Sequence, residues 1–325
     1  MGEALAGLCF FISSDIWNMN QEHFDRAMPF SSFSCAMEQL GLAKVVAARP
    51  MIGGDINHAY KLELADGASI FMKANSRGNA DFFRAEVAGL EAIASLKILS
   101  VPRILAWGVD EGGENPLRGP CSFLLLEFLP PTAKAPNYWE ELGRNLARLH
   151  LADCSSIVDG FGFPTDNYIG ATPQRNRVTA SWVEFFRECR LRPQFQMAVG
   201  HFTRGQLEVA EKVMGRLEEF LPEPEKPSLL HGDLWGGNVH TGGDGQAWLI
   251  DPAAYCGHWE ADLAMTRLFG GFPRKFYESY HQVNPIPPGF SRRLDLYNLY
   301  HLLNHLNLFG SRYLGQVLDM LVAYK

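Results

Sequence analysis

His231-Gly232-Asp233-Leu234-Trp235-Gly236-Gly237-Asn238, followed by Asp251 in Leu249-Ile250-Asp251-Pro252, is the stretch that decides how this chain is read. An Asp-x-x-x-x-Asn run with a later strand-borne Asp fits phosphoryl transfer from a metal-bound nucleotide. The first Asp can accept a hydroxyl proton and orient the attacking oxygen. The Asn and the later Asp offer hard oxygen donors of the kind Mg²⁺ takes. The glycines let the loop turn sharply between those donors. A polar turn with helix-capping carboxylates is the plain alternative for His-Gly-Asp alone, and the combined spacing of Asp233, Asn238 and Asp251 argues against it.

Upstream, the chain holds what such a site requires, in the required order. Lys44 to Arg49, Ala59 to Leu64 and Ser69 to Ala74 read as short strands. Gly53-Gly54 lies between the first two, where backbone N–H groups can approach phosphates. Asp66-Gly67 turns the next pair into a hairpin. Lys73 sits on the third strand, and Glu86 lies mid-way along a helix predicted from Asn79 to Leu96, where the two can pair as in kinases. Val101 to Trp107 and Ser122 to Phe128 are two further apolar strands. Ser32 to Leu40 reads as a short helix stopped by Gly41.

Beyond Pro130-Pro131 the pattern becomes helical. Trp139, Leu142, Leu146 and Leu149 mark one face, Trp182, Phe185, Phe186 and Leu191 another, and Leu207 to Phe220 a third. Leu294 to Phe309 and Tyr313 to Tyr324 read as closing helices. Short strands are expected around Leu229-Leu230 and Trp248 to Ile250. The expected organisation is an extension over 1–30, with Met19 and Met28 as alternative starts, a nucleotide-binding lobe over 31–129, and a catalytic and acceptor-binding lobe over 130–325.

Composition narrows the partners. The 325 residues carry a formal charge of −7, and 47% are hydrophobic. That is a chain able to bury a large core, with no basic run to hold nucleic acid or an anionic membrane. No apolar run reaches the ~18 residues of a membrane span. Cys9, Cys35, Cys121, Cys154, Cys189 and Cys256 are scattered without metal spacing, which suits reduced thiols in a cytoplasmic protein. His301 and His305 stand four apart on a helix, but the leucines around them suggest packing. Asp262 is expected to start a helix and hold the catalytic loop by hydrogen bonds.

HGDLWGGN, DPAAYCGHWEADLAM and LYNLYHLLNHLNLFG are more specific than any generic kinase motif. With Gly53–Tyr60, Phe71–Asn75, Phe83–Leu90, Leu125–Leu129 and Phe161–Asn176, they make the chain resemble the fructosamine kinase (ketosamine-3-kinase) family. That family lies within the aminoglycoside-phosphotransferase-like branch of the protein-kinase-like fold. The resemblance implies an α+β, two-lobed fold with a small antiparallel-sheet N-lobe and a larger, mainly helical C-lobe. It implies ATP and Mg²⁺ as cofactors, and phosphorylation of O-3 on free or protein-bound ketosamines as the deglycating activity. Asp233 matches the catalytic base, Asn238 and Asp251 the metal ligands, and Lys73 and Glu86 the phosphate-positioning pair. Glu127, Phe128 and Leu129 match the hinge whose backbone meets adenine, and Trp235 is read as an apolar wall for the sugar. Asp251 is followed by Pro252-Ala253 rather than Phe-Gly, and no long activation segment follows, which favours a small-molecule or glycated-residue kinase. A monomer or weak dimer is expected. An aminoglycoside, choline or homoserine kinase is the rival enzyme, and an inactive binding module the rival of another class.

Overall fold

The computed structural model describes residues 29–51, 56–112 and 115–325. Phe30 already pairs with Gly108 at the edge of the first sheet, so the small lobe begins at least one residue before the expected boundary at 31. A short helix, α1 (Phe33–Gln39), follows; Ser32 caps it by accepting from the Cys35 amide at 3.1 Å.

Strands β1 (Val45–Met51), β2 (His58–Leu64), β3 (Ser69–Asn75), β4 (Ile104–Asp110) and β5 (Cys121–Glu127) form one sheet in the order β1-β2-β3-β5-β4. All its neighbours are antiparallel. β4 starts at Ile104 rather than Val101 because Pro102 has no N–H to give a ladder. Helix α2 (Ala80–Ser95) links β3 to β4. It lays Phe83, Val87 and Leu90 against Trp107, Leu124 and Leu126 on one face of the sheet. Phe33, Leu62, Met72 and Phe123 fill the other face under α1.

The large lobe is built on α3 (Tyr138–Leu151), whose buried face carries Leu142, Leu146 and Leu149. Two elements that the sequence reading treats as one are interrupted. Trp182 to Leu191 is a single α-turn, α4 (Trp182–Phe185), running into a π-turn at Phe186–Leu191 before α5 (Arg192–Met197). Leu207 to Phe220 is split at Gly215 into α6 (Arg204–Met214) and α7 (Leu217–Phe220). A hairpin of β6 (Asn167–Ile169) and β7 (Thr172–Gln174) emerges from the Phe161–Asn176 loop. The His231–Asn238 stretch and Asp251 lie among β8 (Ser228–Leu230), β9 (Val239–Thr241), β10 (Ala247–Leu249) and β11 (Tyr255–Gly257). Helices α8 (Glu260–Leu268), α9 (Arg274–Val283), α10 (Phe290–Phe309) and α11 (Leu314–Ala323) complete the lobe. No described helix is long and apolar enough to cross a membrane.

Candidate active site

β8 pairs with β11, and β9 with β10, so the loops after β8 and β10 are brought side by side. The Ala253 amide donates to the His231 carbonyl at 2.9 Å, and the Ile250 amide donates to the Asn238 carbonyl at 3.1 Å. Gly232 has φ +80°, and a Cβ there would lie 2.1 Å from the Ala253 carbonyl oxygen. Only glycine fits such a crossing. Asp251 also takes a left-handed φ, of +55°, a conformation Asp tolerates better than most residues.

These crossings bring together the residues predicted from sequence. Asn238 Nδ2 donates to Asp233 Oδ2 at 2.9 Å and to the Asp233 carbonyl at 2.8 Å. Lys73 Nζ donates to Glu86 Oε1 at 2.7 Å and directly to Asp251 Oδ1. One buried cation thus ties β3 and α2 of the small lobe to the catalytic side of the large one. Loss of water around Asp233 pushes its carboxyl up to about 7, against the Asn238 hydrogen bond and with help from Asp251 and Asp262. Burial alone would lower the pKa of Lys73, but Asp251 and Glu86 outweigh it and keep the ammonium charged. Burial raises the Glu86 carboxyl, with Lys73 pulling the other way.

Asp262, in the first turn of α8, holds the His231–Gly232 turn from behind. Its carboxylate accepts from the His231 amide at 2.7 Å and the Gly232 amide at 2.9 Å. It also accepts from His150 Nε2 at 3.2 Å, while the Tyr280 hydroxyl donates to His150 Nδ1 at 2.8 Å and Asn284 Nδ2 donates to Tyr280 at 3.0 Å. His231 Nε2 donates to the Ile250 carbonyl at 2.9 Å, which leaves Nδ1 to accept from the Asp233 amide at 3.3 Å. His150 and Tyr280 escape a sequence reading because one sits on an ordinary amphipathic helix and the other on a short, proline-flanked one.

The other predicted residues are placed as follows. Gly53 and Gly54 lie outside the described residues. Just past them, Asn75 Nδ2 donates to the Ile56 carbonyl at 3.2 Å and Asn57 Oδ1 at 2.7 Å, fixing the start of β2. Glu127 ends β5 with its amide donating to the Arg103 carbonyl at 3.0 Å, and Phe128 and Leu129 follow without regular secondary structure. Trp235 is 38% exposed, and its ring meets Phe269 edge-on at 6.2 Å, so it is not a core residue. His301 is buried, as the leucines around it suggest.

The Phe161–Asn176 loop turns its polar side chains inward. Asn167, Gln174 and Asn176 are buried and bond to one another rather than lining an open surface. Asn167 Nδ2 donates to the Ala254 carbonyl at 2.8 Å and Gln174 Nε2 to the Ala253 carbonyl at 3.1 Å, which keys the β6–β7 hairpin onto the segment between Asp251 and β11. Arg190, fully buried on the π-turn, donates to Asn176 Oδ1 at 2.9 Å and the Arg175 carbonyl at 2.6 Å, with its guanidinium over Tyr255 at 4.0 Å. From the same hairpin Tyr168 stacks on Phe82 of α2 at 4.0 Å, one helical turn before Glu86.

A family model described as fructosamine kinase matches residues 31–324. The chain belongs to the fructosamine kinase family. It is accordingly an ATP-dependent phosphotransferase with the kinase-like fold. A Synechocystis relative named for ketoamine kinase activity is 41% identical over 280 residues, spanning 86% of this chain and 90% of the relative. The chloroplastic protein-ribulosamine 3-kinase of Oryza sativa subsp. indica is 39% identical over 287 residues, spanning 86% and 79%. Among solved structures, one from Thermobifida fusca named for fructosamine-3-kinase is 33% identical with a TM-score of 0.76, covering 90% of this chain and 97% of that one. An ADP-bound aminoglycoside phosphotransferase, APH(2'')-Ib, is 12% identical with a TM-score of 0.57, covering 90% of this chain and 96% of that one, and shares its fold.

Proposed function

We propose that this fructosamine kinase transfers the γ-phosphoryl group of ATP to O-3 of a ketosamine, a fructosamine or ribulosamine carried on a free amine or a protein. The observation that carries the reading is the meeting of Asp233, Asn238, Asp251 and the Lys73–Glu86 pair at one point of a chain from that family. Asp233 accepts the proton of the attacking hydroxyl and orients its oxygen. Asn238 holds one carboxylate oxygen of Asp233 and leaves the other to face the acceptor. Lys73, kept in place by Glu86, gives its charge to the phosphates. The backbone of Glu127, Phe128 and Leu129 meets the adenine edge, and Gly53 and Gly54 cover the phosphates. Esterifying O-3 converts hydroxide into a far better leaving group, so the adduct breaks down and the amine returns.

The donor set suits Mg²⁺. Asn238 and Asp251 present hard oxygens, and the described residues contain no cluster of three or more metal-ligating His, Cys, Asp or Glu side chains. That matches an ion held by one or two protein groups together with substrate phosphates. Asn238 and Asp251 would hold it. When bound, it neutralises charge on the phosphates.

The cytoplasmic setting belongs to the same reading and is supported by five described cysteines that are all free thiols. The aminoglycoside phosphotransferase lends no weight to an aminoglycoside acceptor, since an identity of 12% carries the fold alone. Incubation with ATP and a panel of synthetic fructosamine, ribulosamine and erythrulosamine tests the reading, with an aminoglycoside, choline and homoserine as controls. Phosphate on O-3 of a ketosamine is expected. Transfer confined to the control acceptors would overturn the proposal.

A further inference from the structure

Among the described residues, three Phe or Trp side chains stand exposed: Trp235, Phe269 and Phe309. They come from three separate parts of the chain and lie in one run. Trp235 meets Phe269 at 6.2 Å, Phe269 meets His305 at 4.8 Å, and His305 meets Phe309 at 5.4 Å and Tyr313 at 5.1 Å. Arg312 lies over the rings of Phe309 and Tyr313 at 5.4 and 5.0 Å. Single exposed apolar side chains are ordinary, whereas a contiguous exposed patch marks a binding surface.

The position of the run says what binds there. One end is Trp235, two residues from Asp233, where the reacting sugar must sit. From there the rings continue through Phe269 and His305 to Phe309 in the last turn of α10. Three ring-to-ring steps take the surface beyond the reach of one sugar. In a ketosamine, what lies beyond the sugar is the carrier of the amine. A flat aromatic surface suits the aliphatic stem of a modified lysine and its apolar neighbours, and Arg312 gives the outer end a cation for backbone carbonyls or acidic side chains.

We propose that this ridge seats the polypeptide that carries the ketosamine, with the stem of the glycated lysine along Trp235 and Phe269 and a flanking segment on Phe309 and Tyr313. The inference rests on the ketosamine reading above and adds the surface that selects a protein-bound acceptor over a free one.

The test compares two acceptors, ribulosamine on Nα-acetyl-lysine and ribose-glycated serum albumin, in the wild type, Phe309→Ser and Phe309→Tyr. Phe309 is exposed on a helix end, so the Ser variant should fold, which a melting curve checks. The ridge predicts that Phe309→Ser raises KM for the glycated protein about 2- to 10-fold. The small acceptor's KM stays constant, and Phe309→Tyr, which keeps the ring, restores the protein KM. Equal changes for both acceptors, or none for either, would overturn the ridge while leaving the ketosamine reading intact. Sedimentation is the second readout. A wild-type dimer that Phe309→Ser converts to monomer would assign the ridge to a second copy of this chain and also overturn the proposal. Loss of transfer to every ketosamine in the wild type would instead strike the underlying activity.

Discussion

Asp262 and Trp235 lie on opposite sides of the same loop and are held in opposite ways. Asp262 is 1% exposed, and its two oxygens accept from two catalytic-loop amides and His150. Trp235 is 38% exposed, and its ring contact is another exposed ring, Phe269. Behind the loop, position is set by directional bonds in a region without water, where a lost partner leaves a buried group unpaired. In front, contact is apolar and non-directional, so it can accept different shapes. The loop is rigidly specified behind and adaptable in front, which under the proposed function fixes the phosphoryl-transfer side and leaves the acceptor side free to fit.

Substitutions can break that contrast, beginning with the inner side. Lys73→Met should lower kcat about 10²–10³-fold, because a fixed cation at the phosphates is lost. It should also destabilise the protein by about 3–5 kcal/mol, because Glu86 then stands buried without its partner. Steady-state kinetics with ATP varied and urea unfolding check both effects. A fully active, equally stable variant would show that the pair is ornamental.

Asp262→Ala should cost about 1–3 kcal/mol for each of the two amides left without an acceptor. Urea midpoints measure this, and an unchanged midpoint would remove the inner network from the account.

Acid should weaken the same interior. Burial holds the imidazoles of His258 and His301 down at about 3, against 6.5 in an open chain. Between pH 6.5 and 3 the unfolded chain binds protons that the folded one refuses, so stability falls as pH falls. The slope is at most about 1.4 kcal/mol per pH unit for each histidine, and it fades as pH rises through about 6.5. Unfolding midpoints at pH 7.5 and 5.5 test the sign; equal stability at both would contradict the burial argument.

The smallest effect belongs to the outer face. Trp235→Ala should raise the acceptor KM several-fold, in line with an aromatic contact of about 0.5–1.5 kcal/mol, and leave the KM for ATP and the melting temperature nearly unchanged. A large loss of stability would make Trp235 a packing residue and dissolve the contrast.

Much of the rigid half is legible in the sequence because its parts are local or ordered. Asp233 and Asn238 share one loop, Asp251 follows one short hairpin later, and Lys73 and Glu86 occupy consecutive elements of clear periodicity. Asp262 is readable for the same reason, as a carboxylate in the first turn of a helix just past the loop. The remainder depends on distant pairing. Asn167, Gln174 and Asn176 read as an open polar loop, because nothing local says that Arg190 and the Ala253–Ala254 carbonyls will satisfy them in the interior. Helix α9 was too short and too closely flanked by prolines to stand out, although Phe276, Ser279 and Tyr280 bury one face. The exposed ridge is invisible along the chain, since Trp235, Phe269 and Phe309 meet only after folding.

The central claim is that Asp233 takes the proton from O-3 of a ketosamine as the phosphoryl group arrives. Phosphorus NMR of a reaction with ATP and a synthetic ribulosamine, run with the wild type and with Asp233→Asn, tests it most directly. The account predicts a 3-phosphate signal with the wild type and a rate lowered about 10²–10⁴-fold in the variant, with ADP still bound and the melting temperature retained. A variant that forms the 3-phosphate at the wild-type rate, or a wild type that phosphorylates a different position, would contradict it.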